Sequence, residues 1–121
     1  VLTSQLVPQE FALEALLHDA AEAYLQDIPA PLKRLLPDYR AIEDQVDAAI
    51  RQKFGLPAEQ HPTVKYADLV MLASDFEIDD GTHWPMLDGV IPTDQFVINP
   101  VRPGQSYGMF MNRFNQLMER R

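Results

Sequence analysis

Apolar residues in this chain recur at intervals of three and four, and no stretch sustains the alternation of a half-buried strand. That spacing excludes sheet architectures and predicts an all-α fold. After "LVPQE", Pro8 suits a first helical turn and Glu10 faces its positive end; Phe11, Ala15, Leu16, Ala20 and Tyr24 then share a helical spacing that should run to Gln26. "DIPAP" excludes regular helix, because Pro29 and Pro31 restrict themselves and the residue before each, and "LKRLL" is read as one short helical turn. Pro37 or Asp38 opens a helix striped by Ile42, Val46, Ala49, Ile50 and Phe54 and stopped by Gly55 and Pro57. "HPTVKYADLVMLASDFEI" predicts another, with Val64, Ala67, Met71 and Leu72 inward, Asp68 on the same face and Lys65 near its edge. From Asp79 to Gln105, Gly and Pro recur every few residues, so a long ordered loop anchored by Trp84 is expected. A last helix, capped by Ser106, should pack Phe110, Phe114 and Leu117.

Size and charge narrow the function. A chain of 121 residues, 46% hydrophobic and 23% charged, suits a single domain with one core. No run approaches the roughly 18 apolar residues of a membrane span, and no basic, apolar leader opens the chain, so no membrane partner is expected. The lack of cysteine excludes thiolate metal sites and fits a reducing compartment, which points to the cytoplasm. A formal charge of −8 argues against a nucleic-acid polymer, whose binding depends on Lys and Arg displacing counterions from phosphates. A small phosphorylated ligand stays compatible with it if a metal ion supplies the positive field locally.

The stretch "LLHDAAEAYLQDIPAPLK", Leu16 to Lys33, carries the chemistry. It places His18, Asp19 and Glu22 in a segment otherwise built for burial, where ionisable groups cost several kcal/mol unless compensated. On an α-helix His18 and Glu22 share a face, with Asp19 about 100° round, and Ala20, Ala21 and Ala23 leave room for close approach. An imidazole and two carboxylates, with Asp68 from a second helix, make a nitrogen and oxygen donor set suited to a divalent transition ion or Mg2+. Plainer readings stand beside this one. A lone histidine such as His18 is more often a hydrogen-bonded core residue than a ligand, Asp68 is equally a partner of Lys65 or of an arginine, and Asp75 is read as a solvated or salt-bridged acid. His61 reads as a loop residue, His83 as a cover for the core beside Trp84, and the terminal "ERR" as a solvated helix end.

Together with "VKYAD" further on, the stretch resembles the HD-domain metal-dependent phosphohydrolases, in their bacterial and phage 5'-deoxynucleotidase-like branch. The likeness covers most of the chain and implies an HD-domain helical bundle, with residues 1–121 as a single HD domain. It implies that His18, Asp19 and Asp68 hold one divalent ion (Mn2+, Co2+, Zn2+ or Mg2+) and that Glu22 handles protons. Asp27 would position substrate or water, and Lys33 would steady phosphate. The family's first ligand is a histidine on an earlier helix, and no His precedes His18. "VLTSQLVP" resembles the segment just after that ligand, so it is expected upstream of Val1; His61 and His83 are not placed to replace it.

The reaction implied is release of phosphate from a deoxynucleoside monophosphate. The ion would lower the pKa of a bound water and polarise a phosphoryl oxygen, Glu22 would orient the water or shuttle a proton, and Lys33 or Arg34 would offset phosphate charge. Triphosphate release from a dNTP is an alternative with the same machinery. A (p)ppGpp hydrolase is disfavoured by Ala23, where that group carries an acid, and a cyclic-dinucleotide phosphodiesterase by the missing second motif. A non-catalytic nucleotide-binding sensor is the rival of another class, against which Glu22 and Asp27 argue. The resemblance also implies a small-molecule nucleotide substrate and a homo-oligomer.

Overall fold

Proline opens each of the three long helices, where its missing N–H would have no intrahelical acceptor and its fixed φ is already helical. In the computed structural model, which describes residues 1–75 and 84–121, these are α4 (Pro37–Lys53), α5 (Pro62–Asp75) and α6 (Pro103–Glu119). Shorter helices α1 (Leu2–Leu6), α2 (Ala12–Leu17) and α3 (Ala30–Lys33) precede them, and the described residues contain no strand. The fold is all-α. Among the described residues no helix is long and apolar enough to cross a membrane.

The chain divides into two compact units, one comprising Val1–Leu16 and His61–Arg121, the other Leu17–Gln60. In the first, α1 packs on α5, and Val7, Ala12, Leu13, Ala15 and Leu16 are buried along with Val64, Ala67, Val70 and Leu117. Its buried polar groups are satisfied. Arg113 reaches from α6 to Ser4, donating from Nε to the hydroxyl and from Nη2 to the backbone carbonyl, each at 3.0 Å. The buried Glu14 carboxylate accepts the His61 N–H at 2.9 Å. His61 in turn caps α5: its Nδ1 accepts the Thr63 N–H at 3.2 Å while its ring stacks on Phe11 at 4.0 Å between centroids. The loop reading of His61 thus gains a role as helix cap.

In the second unit α4 lies against α3 and against a 3-10 turn at Ala20–Ala23. Helix α4 ends as its sequence dictates. Gly55 adopts φ 63°, which a side chain would resist, so that the Leu56 N–H reaches the Arg51 carbonyl (2.8 Å) and the Gly55 N–H that of Gln52 (3.3 Å). The Tyr39 hydroxyl donates to the Gln26 carbonyl and ties the start of α4 to the preceding loop.

Several local expectations are corrected. The helix expected to run to Gln26 stops at Leu17; residues 18 and 19 form a turn and the alanine-rich AAEA segment a 3-10 turn, although its propensity favours α-helix. Packing against α4 overrides that propensity and leaves Tyr24 exposed. "DIPAP" does admit helix: Pro29 sits at the N-cap of α3 and Pro31 at its second residue, where no N–H is required. Helix α6 starts at Pro103, not after Ser106, because the Gln105 side chain accepts the Arg102 N–H at 3.1 Å and anchors the turn earlier. On α5, Val70 takes the buried position and Leu72 is exposed. The expected loop is irregular from Val90 to Val101 apart from a bend, and Trp84, expected as its anchor, is instead exposed before a 3-10 turn at Pro85–Leu87. His83 and the loop's first residues lie outside the described residues.

Candidate functional site

Because α2 ends at Leu17, His18 and Asp19 occupy a turn in which neighbouring side chains can face one way, as they could not on a continuous helix. His18 Nε2 lies 3.0 Å from Asp19 Oδ2; the imidazole is 12% exposed and the carboxylate 61%. Two ligands at about 2.1 Å from one octahedral ion, in adjacent positions, are also separated by about 3 Å. The pair is therefore spaced to share a cation and has the nitrogen and oxygen chemistry for one. Its contact as it stands is a hydrogen-bonded ion pair when His18 is protonated.

The pair lines a cavity of about 240 Å³ within the 17–60 unit. Glu22, carried by the 3-10 turn, lines it too, and so does Lys33 from the end of α3. Partial burial, and after it the negative charges of Asp19 and Asp27, push the Glu22 carboxyl above the usual carboxylate range. A carboxyl held more basic than usual beside a candidate ion site is placed to accept a proton. Lys33 is bound to Glu43, its Nζ 3.2 and 3.0 Å from the two carboxylate oxygens, and this hydrogen bond raises its pKa.

Of the residues singled out in the sequence, the structure brings His18, Asp19, Glu22 and Lys33 to this cavity. Asp27 is exposed and does not line it, reaching the site through the charge it imposes on Glu22. Asp68 belongs to the other unit, on α5, partly exposed with Lys65 Nζ 3.6 Å from its carboxylate, so the Lys65 pairing is realised. Asp75 is exposed.

Sequence reasoning missed the far wall. Glu43, Asp44, Asp47 and Arg51 of α4 face the cavity, with Gln60. Arg51 is 5% exposed, and its Nε donates to Asp47 and its Nη1 to the Pro57 carbonyl, both at 2.9 Å. A signal was present: Glu43, Asp47 and Arg51 form an i, i+4, i+8 row directly beside the apolar row Ile42, Val46, Ile50.

No family model matches the chain, and no solved structure matches it. Similarity is found to the uncharacterized protein YfdR of Escherichia coli (strain K12), 61% identical over 124 residues that take in the whole of this chain and 70% of that protein. An uncharacterized protein of Rhodobacter capsulatus is 37% identical over 62 residues, 50% of this chain and 32% of its own length.

Proposed function

We propose that this chain, which belongs to the family of Escherichia coli YfdR, is a metal-dependent phosphohydrolase that releases phosphate from deoxynucleoside monophosphates. The observation that carries the reading is the His18–Asp19 pair, held at 3.0 Å in the same cavity as a carboxyl of raised pKa. His18 and Asp19 would hold a divalent ion, and the resemblance to HD-domain proteins adds Asp68 to the ligand set. When bound, that ion supplies Lewis acidity toward the phosphoryl group and activates a nucleophilic water.

The chain's own residues do the rest. Glu22 accepts the proton that the attacking water loses. Asp27, by its charge, helps keep Glu22 basic enough to do so. Lys33 lines the cavity and would steady a phosphate oxygen there, and Glu43 fixes where its ammonium rests. The cysteine-free composition accords with a cytoplasmic enzyme, and the resemblance extends to a homo-oligomer.

The test is phosphate release from a panel of dNMPs and dNTPs with Mn2+, Co2+ or Mg2+ added. Turnover should require the metal and fall about 10²–10⁴-fold in Glu22→Gln. Nucleotide binding without metal-dependent release would replace the enzyme reading by that of a sensor. Failure of the full-length protein to take up a divalent ion would overturn the assignment altogether.

A further inference from the structure

Both cations that line the cavity are already engaged by carboxylates of α4. Lys33 is paired with Glu43, and Arg51 with Asp47 and the Pro57 carbonyl. The Lys33 and Glu43 side chains are only 24% and 25% exposed, so water screens their charges in part. With His18 neutral, the lining sets five carboxylates, Asp19, Glu22, Glu43, Asp44 and Asp47, against Lys33 and Arg51, leaving three negative charges in excess, and one in excess once the proposed divalent ion is bound. A phosphate monoester brings about two more negative charges, and a triphosphate roughly twice that number. Each additional charge meets the same acidic wall, so the wall discriminates by phosphate count. Among its members Glu43 has the distinctive position. It takes no part in the proposed ion binding or proton transfer, and its charge cancels that of Lys33, the one long flexible cation of the cavity.

We infer that Glu43 is a specificity-determining residue: by holding Lys33 in an ion pair it restricts the site to substrates with a single phosphate group and rejects triphosphates. The inference rests on the phosphohydrolase reading and adds to it the residue that selects among deoxynucleotides. Neutralising Glu43 frees Lys33 for additional phosphate oxygens and removes one repulsive charge together.

The experiment compares KM for a deoxynucleoside monophosphate and the matching triphosphate in the wild-type chain, Glu43→Gln and Glu43→Asp. The triphosphate-to-monophosphate KM ratio should fall about fivefold in Glu43→Gln and stay near the wild-type value in Glu43→Asp, which keeps the charge. Lys33→Gln, which leaves Glu43 without its cation, should move the ratio the other way, and it decides the matter if Glu43→Gln does not fold. Calorimetric titration of each variant with inorganic phosphate and with tripolyphosphate gives a second readout that needs no turnover, and the same preferences should appear there. An unchanged ratio in both Glu43→Gln and Lys33→Gln, or equal changes in Glu43→Gln and Glu43→Asp, overturns the role of Glu43. Absence of metal-dependent release by the wild-type chain from every nucleotide overturns the phosphohydrolase reading instead, and the calorimetric arm then still decides whether Glu43 sets the phosphate preference.

Discussion

Residues 1–16 and 61–121 bury Val64 completely and Leu117, Ala67 and Leu13 nearly so, with Ser4 and Glu14 as buried polar groups tied to Arg113 and the His61 amide. Residues 17–60 bury Leu17, Ala21 and the side chain of an arginine, while Leu35 and Ile42 stay largely in solvent. Apolar burial at about 25 cal/mol per Å² supports the first unit, whereas in the second the buried Arg51, hydrogen-bonded to Asp47, joins Leu17 and Ala21, and the Lys33–Glu43 pair lies nearer the surface. A region held by oriented charges is dearer to build, since each group must be desolvated and then matched. It is also the kind of region that can bind an ion or a phosphate, and the candidate site lies there.

That contrast can be broken by substitution. Leu117→Ala should destabilise the first unit by about 2–5 kcal/mol, read as a lower urea midpoint, whereas Ile42→Ala, at a half-exposed position of α4, should cost under about 1 kcal/mol. Equal losses would mean that the second unit relies on apolar packing after all. Arg51→Ala comes next: it strips Asp47 and the Pro57 carbonyl of their donor and should cost about 1–3 kcal/mol, with hydrogen exchange speeding up in α4 before α5.

Smaller effects sharpen the comparison through pH. The Glu22 pKa is raised, so the folded chain binds that proton more tightly than the unfolded one. Stability contributed by protonated Glu22 is present below the ordinary carboxylate pKa and is lost as pH rises through the raised folded value. The acid limb of the activity profile should follow the same group. Asp27→Asn, which deletes one of the repulsive charges, should move that limb to lower pH without altering the urea midpoint of the first unit. The smallest effect is expected at Lys65, whose exposed i,i+3 pairing with Asp68 should be worth under about 0.5 kcal/mol in Lys65→Ala by thermal denaturation.

How far the sequence was legible depended on the range of the interaction. The proline start and glycine stop of α4 are local and were readable, as was the helix carrying Val64 and Ala67; the apolar stripe expected on α4 is not buried, since Ile42 and Ala49 are exposed and the buried residue of that helix is Arg51. The break after Leu17 was not, because AAEA taken alone is a good helix former and only the packing of α4 makes it a 3-10 turn. The i,i+4 argument placed His18 and Glu22 on one α-helical face; the turn brings them to one cavity by a different route. Glu43 and Arg51 were overlooked because charge on a helix flank ordinarily marks a solvated face.

By itself the sequence determined the all-α class, the starts of α4 and α5 and the presence of candidate donor side chains at His18 and Asp19, since periodicity, proline placement and side-chain chemistry are properties of neighbours along the chain. Tertiary structure alone decided that a polar row of α4 closes a cavity over the His18–Asp19 turn and that Lys33 meets Glu43 there. The reason is physical: the Lys33–Glu43 ion pair and the burial that, first among its causes, raises the pKa of Glu22 are set by how the turns at residues 18–33 pack against α4, and chain spacing carries no record of that packing.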